Sequence, residues 1–249
     1  MNLLRTFILA CITFLSFTGC TTYYGVANYS TESSFIPKPS YRDSVIKNSY
    51  IGGNFYNTLG PGAYQQKENT TFGTLNYYFS KTRHDISIAT GGFLYGGNYN
   101  AVTTNDVPGG DKYFLGGGMM VSWNYNIPFE HFDWRIFGTR YTILYEGGVY
   151  SNFRKKVIEN SHIDGLGIPE YDDLNPKNIS VNGSFSTELI YKHEKFDLGS
   201  WFSVGSGSQI LTYGYGTYVS MDRLVSFLEI NSSFYGNKCL GVGILYMIE

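Results

Sequence analysis

Residues 115–127 read LGGGMMVSWNYNI. Taken every second residue from Leu115, the stretch is Leu, Gly, Met, Val, Trp, Tyr, Ile. The intervening residues are Gly, Gly, Met, Ser, Asn, Asn. A period of two is the period of a β-strand, whose side chains alternate between two faces. One face here is apolar and aromatic, and the other is tiny or polar. A β-sandwich packs two bulky inner faces together, and the second face of this strand is too small and polar for that. The pattern predicts an apolar face turned outward to lipid, with Trp123 near the interface. The glycines and asparagines then line the inside of a closed barrel, which leaves no open sheet edge in the bilayer.

The same alternation runs through most of the chain. Ten strands are predicted at 49–59, 70–80, 85–96, 113–127, 133–150, 178–192, 195–205, 209–221, 223–233 and 238–248. On 238–248, Leu240, Val242, Ile244, Tyr246 and Ile248 share a face. On 133–150, Phe137, Tyr141, Ile143, Tyr145 and Val149 do. Many of these runs reach the roughly 9–11 residues that a tilted strand needs to cross a bilayer. The connections alternate too: the second, fourth, sixth and eighth are all tight. Short turns on one side and longer loops on the other are the habit of outer-membrane barrels. That parity puts both termini on the short-turn, periplasmic side. Aromatic residues beside the short turns (Tyr77, Tyr78, Phe79, Tyr125, Phe129, Phe132, Trp134, Tyr191, Phe196) would form an interfacial girdle. By pattern, residues 49–249 resemble bacterial outer-membrane barrels. The fold expected is all-β, an antiparallel up-and-down transmembrane barrel of about ten strands.

Composition is consistent with this. Tyr (23), Phe (18) and Gly (30) are abundant and Pro is sparse (7), which suits long strands joined by turns. A formal net charge of −2 offers no basic stripe for nucleic acid. A mean hydropathy of −0.16 argues against a helical membrane protein, but not against a barrel, in which only alternate residues face lipid.

The N-terminus, MNLLRTFILACITFLSFTGC, has a positive Arg5 followed by the apolar run FILACITFLSF. This is the layout of a signal peptide, too short to span a membrane as a helix. Its end, FTGC, resembles the lipobox of bacterial lipoproteins. The resemblance implies cleavage before Cys20, lipidation of its thiol, as by palmitate, and acylation of its new amino group. Thr21 stands where an inner-membrane retention Asp would be, so the resemblance points to the outer membrane. Residues 1–19 are then the signal peptide and 20–48 a lipidated flexible tether containing PKP. With Cys11 removed and Cys20 lipidated, only Cys239 is left and no disulfide is expected.

The small inward residues predict a wet lumen, a groove or a narrow conduit, unless inward Phe93, Trp201 and Tyr218 refill it. Few inward charges are expected: Arg140, Glu146, Glu188 and Glu229. Arg140 and Glu188 lie on neighbouring strands at comparable height, which makes them candidates for a buried ion pair bracing the barrel. As a functional alternative, their acidic excess would suit a constriction for small cations. His84, His131 and His193 fall in consecutive tight turns with acids nearby, and His162 in the long loop. No metal-ligand spacing or nucleophile elbow accompanies them, so no enzyme and no cofactor is expected. The loop 151–177 and the tether 21–48 are the places where an envelope protein could dock, besides outer-membrane lipid. The expected role is structural or partner-docking. A narrow solute channel is the alternative, and a barrel enzyme acting on lipid or surface polymer comes third.

Overall fold

The computed structural model describes residues 35–41, 45–59, 69–103, 106–163, 178–207, 210–233 and 238–248. Ten strands make up the wall: β1 (Ile46–Leu59), β2 (Asn69–Thr82), β3 (Ile86–Ala101), β4 (Gly110–Pro128), β5 (Phe132–Gly148), β6 (Ile179–Lys192), β7 (Phe196–Gly207), β8 (Ile210–Met221), β9 (Leu224–Ser233) and β10 (Lys238–Met247). Each pairs antiparallel with its neighbours in sequence. β1 closes on β10 from Tyr50 opposite Met247 to Leu59 opposite Lys238. The antiparallel ten-stranded barrel expected from the alternation is therefore what forms.

The tight connections are four-residue turns closed by backbone bonds. Arg83 N donates to Ile86 O (2.7 Å), Phe129 N to Phe132 O (2.7 Å) and His193 N to Phe196 O (2.9 Å). Between β8 and β9 only Asp222 and Arg223 intervene. Asp222 adopts φ 52°, a left-handed conformation that Asp tolerates better than most residues. These four turns share one end of the barrel, called here the turn end. The remaining connections share the other, the loop end.

Burial follows the alternation. On β4, Leu115 and Met119 are 70% and 74% exposed, and Val121, Trp123 and Tyr125 share their outward face; Ser122, Asn124 and Asn126 are buried on the other. Similar outward apolar rows run along the other strands. A continuous apolar surface of this extent would be an aggregation liability in water and is the expected surface in lipid. Tyr77, Phe79, Tyr125, Phe129, Phe132, Trp134 and Tyr191 are exposed near the tight turns. Tyr78 differs from expectation: its parity on β2 points it inward, where it is buried.

One strand breaks the alternation. On β5, Arg135 opposes Glu188 of β6, yet Gly138 opposes Ser186, so two residues of β5 face one of β6. This is a β-bulge, and it swaps the faces of the strand on either side. Beyond it Arg140, Thr142 and Leu144 point inward; before it Asp133 and Arg135 do.

Two segments outside the wall complete the interior. Gly148, at φ 109°, ends β5 in a conformation that favours glycine. The chain then turns directly into α1 (Val149–Ile163), within what the sequence suggested was a plain loop. Tyr150, Phe153, Arg154 and Val157 form its buried stripe, at the spacing of one helix face. Residues 35–41, in the stretch expected to be tether, lie inside the barrel at the turn end. β1 itself begins at Ile46, within the expected tether. The signal peptide 1–19, Cys20 and the loop from 164 to 177 lie outside the described residues.

Candidate functional site

The interior of the barrel is the site where this chain concentrates its buried charge, and it is built up from glycines. Across neighbouring strands, inward aromatic residues lie directly opposite inward glycines. Phe72 faces Gly97, Tyr78 faces Gly91, Phe93 faces Gly118 and Tyr95 faces Gly116. Farther round the wall, Tyr218 faces Gly199, Trp201 faces Gly216, Phe227 faces Gly243 and Tyr56 faces Gly241. Except at Gly97, where Phe72 approaches through its Cβ, each ring lies over its glycine. A Cβ added to Gly118 would sit 2.6 Å from Phe93 Cζ, and one added to Gly241 would sit 2.5 Å from Tyr56 Cε1. Any larger residue would push the ring off the wall. These inward glycines thus do not leave open space; they make room for large rings. Tyr56 stacks on Phe72 with ring centroids 4.7 Å apart, and the aromatic packing continues to Phe114.

At the loop end, α1 continues this packing. Tyr150 stacks on Tyr99 (4.2 Å), and the Arg154 guanidinium lies 5.0 Å from the Tyr150 ring centroid. Arg154 Nη2 also pairs with Glu146 Oε1 at 2.9 Å, with both side chains about 1% exposed. Ser151 Oγ donates to Asn178 Oδ1 (2.7 Å), tying the helix to the start of β6.

At the turn end, residues 35–41 form a strap held almost entirely through its backbone. Phe35 N donates to Glu229 Oε2 (3.0 Å). Arg135 Nη2 donates to both Lys38 O and Pro39 O (2.8 Å each), and Thr82 Oγ1 donates to Pro39 O (2.8 Å). Tyr41 N donates to Asp133 Oδ2 (2.7 Å), and Lys192 Nζ donates to Tyr41 O (3.3 Å). Ser40 Oγ donates to Asp197 Oδ2 (2.7 Å). The Phe35 ring fills a socket between Trp201 (4.9 Å), Tyr218 (4.4 Å) and Phe227 (5.2 Å). Pro37 and Pro39 restrict the strap to extended conformations, since each disfavours helix at the residue before it. Burial pushes the Lys38 amine down to about 7, with Glu188 pulling the other way and Arg135 and Arg140 adding to the fall.

The four charged residues expected in the lumen are all buried. Glu188 pairs with Arg135 Nη1 (2.8 Å) and accepts a hydrogen bond from Tyr218 OH (2.9 Å). Arg140 opposes Ser184, four positions farther along β6, in surroundings that include Tyr78, Glu229 and Tyr56. Glu188 and Arg140 therefore do not form the direct pair that equal height suggested. Glu146 serves α1 and Glu229 serves the strap. Sequence reasoning missed Arg135, Asp133, Arg154 and Lys38. The bulge hid the first two, because unbroken alternation from Phe137 places both outward. The only local hint was Gly138, next to a strand that otherwise alternates.

The turn histidines do not converge. His131 and Glu130 approach to 3.8 Å on the exposed rim, His84 meets the edge of Tyr41, and His193 stacks on Phe196. Among the described residues no three metal-ligating side chains gather in one place.

No protein-family model matches the chain, and no curated protein matches it. Solved structures do. Neisserial surface protein A is 10% identical, over 82% of this chain and 99% of that one, with a TM-score of 0.38. The attachment invasion locus protein of Yersinia pestis, Ail, is 12% identical over 81% and 97%, with a TM-score of 0.31. The outer membrane protease OmpT from Escherichia coli is 8% identical over 83% and 97%, with a TM-score of 0.33. The chain is similar to bacterial outer-membrane β-barrels of this kind, and the likeness is one of fold.

Proposed function

We propose that this chain is an outer-membrane β-barrel lipoprotein with a closed lumen, serving as a membrane-seated structural and partner-docking protein. One observation carries the reading. An apolar outer wall surrounds an interior filled by aromatic rings on glycines, with α1 packed at the loop end and the strap at the turn end. A conduit needs a continuous water-filled polar path; the polar residues on the inward faces are buried instead, with Thr142, Asn182, Ser203 and Thr212 about 1% exposed. The buried ion pairs Arg135–Glu188 and Arg154–Glu146, and the half-buried pair Lys192–Asp133, hold parts of this interior together. A lipid on Cys20 would add a second hold on the membrane.

The test is reconstitution into planar bilayers at matched protein density. Silent membrane is the expected result. Stepwise conductance from the wild-type chain would refute the closed lumen and favour the channel alternative. Palmitate labelling with membrane fractionation of the wild type and of Cys20→Ser tests the anchor. The expected outcome is label on the wild type alone, with both proteins in the outer-membrane fraction.

A further inference from the structure

The strap is bound like a ligand. The backbone ladder of the wall closes through β1 and β10 without it. The strap adds no strand to that ladder, and among the described residues its hydrogen bonds are made by side chains of the wall. Those side chains read main-chain groups: Arg135 and Thr82 donate to carbonyls, while Glu229 and Asp133 accept from amides. One deep pocket, formed by Trp201, Tyr218 and Phe227, takes one aromatic ring. Main-chain bonds for affinity, a side-chain pocket for specificity and a proline-stiffened ligand are the elements of peptide recognition. A wall evolved only to fill space could use apolar residues here. Instead it buries Arg135, Asp133 and Glu229, and each of these charges, beyond its partners in the wall, also bonds a main-chain group of the strap.

We propose that the turn-side half of the lumen is a recognition site for an extended, proline-containing peptide segment bearing an aromatic residue. Residues 35–41 are its resident ligand, and a like segment of an envelope protein is the partner that replaces them. This deepens the docking reading above and rests on it: the docking surface is the lumen wall, and the strap holds it in reserve. As part of the same chain, the strap competes at an effective concentration of about millimolar. A partner therefore gains entry only when it is locally concentrated or when the strap is weakened.

The test uses the full-length chain in detergent micelles. Phe35→Ala empties the aromatic pocket but leaves the wall intact. Trp123→Phe and Trp134→Phe, both on the outer wall, leave Trp201 as the reporter. The probe is the heptapeptide FIPKPSY. The Phe35→Ala chain is expected to give a saturable change in Trp201 emission. The same peptide with Ala for Phe should bind at least about tenfold more weakly, as should FIPKPSY to the chain with an unaltered strap. No saturable response, or equal response to both peptides, overturns the proposal and makes the strap a fixed piece of core. If Phe35→Ala does not fold, a protease site inserted between Tyr41 and Val45 and cut after folding replaces it. Excess FIPKPSY should then displace the cut strap on gel filtration. A strap that stays bound overturns the proposal equally. Conductance of the wild-type chain would sink the closed-lumen reading without touching peptide binding, so the two failures are separable.

Discussion

Arg135 is the residue on which the turn-end interior depends most. It is 1% exposed and makes three hydrogen bonds of 2.8 Å, one to Glu188 and two to strap carbonyls. Arg135→Met keeps most of the apolar stem but strands the Glu188 carboxylate, which among the described residues then retains Tyr218 OH as its donor. Breaking one partner of a buried ion pair costs roughly 3–5 kcal/mol, and two carbonyls left without their shared donor add about 1–3 kcal/mol. A loss of at least about 3 kcal/mol is expected. It is measured by urea unfolding in micelles, with folded barrel scored by heat-modified gel mobility. The decisive comparison is Arg135→Met with Glu188→Leu. Removing both charges leaves no stranded carboxylate, so the double variant should recover most of the loss and retain only the strap contribution. A single variant costing less than about 1 kcal/mol would refute the reasoning. So would a double variant no more stable than the single one, because the penalty would then lie in packing rather than in buried charge.

Other predictions follow from the same interior. Gly216→Val should cost more than about 2 kcal/mol by the same unfolding assay, because its Cβ would fall among Trp201 ring atoms, whereas Gly73→Ala, whose Cβ meets nothing nearer than 3.6 Å, should be nearly neutral. Arg154→Ala should free α1 from Glu146, seen as faster tryptic cleavage at Lys155 and Lys156 with the barrel intact; unchanged protection would count against the pair as a clamp. Strap docking should tighten with pH. Lys38 is held near 7 in place against an ordinary 10.5 when free, so its penalty is fully present below about pH 7 and is relieved as pH rises toward 10.5. The affinity of the cut strap should rise by up to about tenfold per pH unit across that window and stay level below it. Lys38→Met should abolish the slope, and a slope that persists would assign it to other groups.

What could be read from residue order alone was everything with a short period. Ten strands, their outward faces, the tight second, fourth, sixth and eighth connections and the inward place of Glu146, Glu188 and Glu229 all follow from alternation, which is a property of neighbours. Three features lay beyond it. The bulge near Gly138 exchanges the two faces of β5 and so brings Arg135 and Asp133 inside, and a single extra residue leaves little trace in composition. Which inward glycines face aromatic rings depends on the register between strands, and that register decides how much of the lumen the rings fill. The strap meets its partners at the greatest remove, Phe35 against Glu229 across 194 residues, and no local pattern reports such a contact. Alternation tells each side chain which face it takes; only the closed wall, by bringing distant strands around one small volume, decides what it finds there.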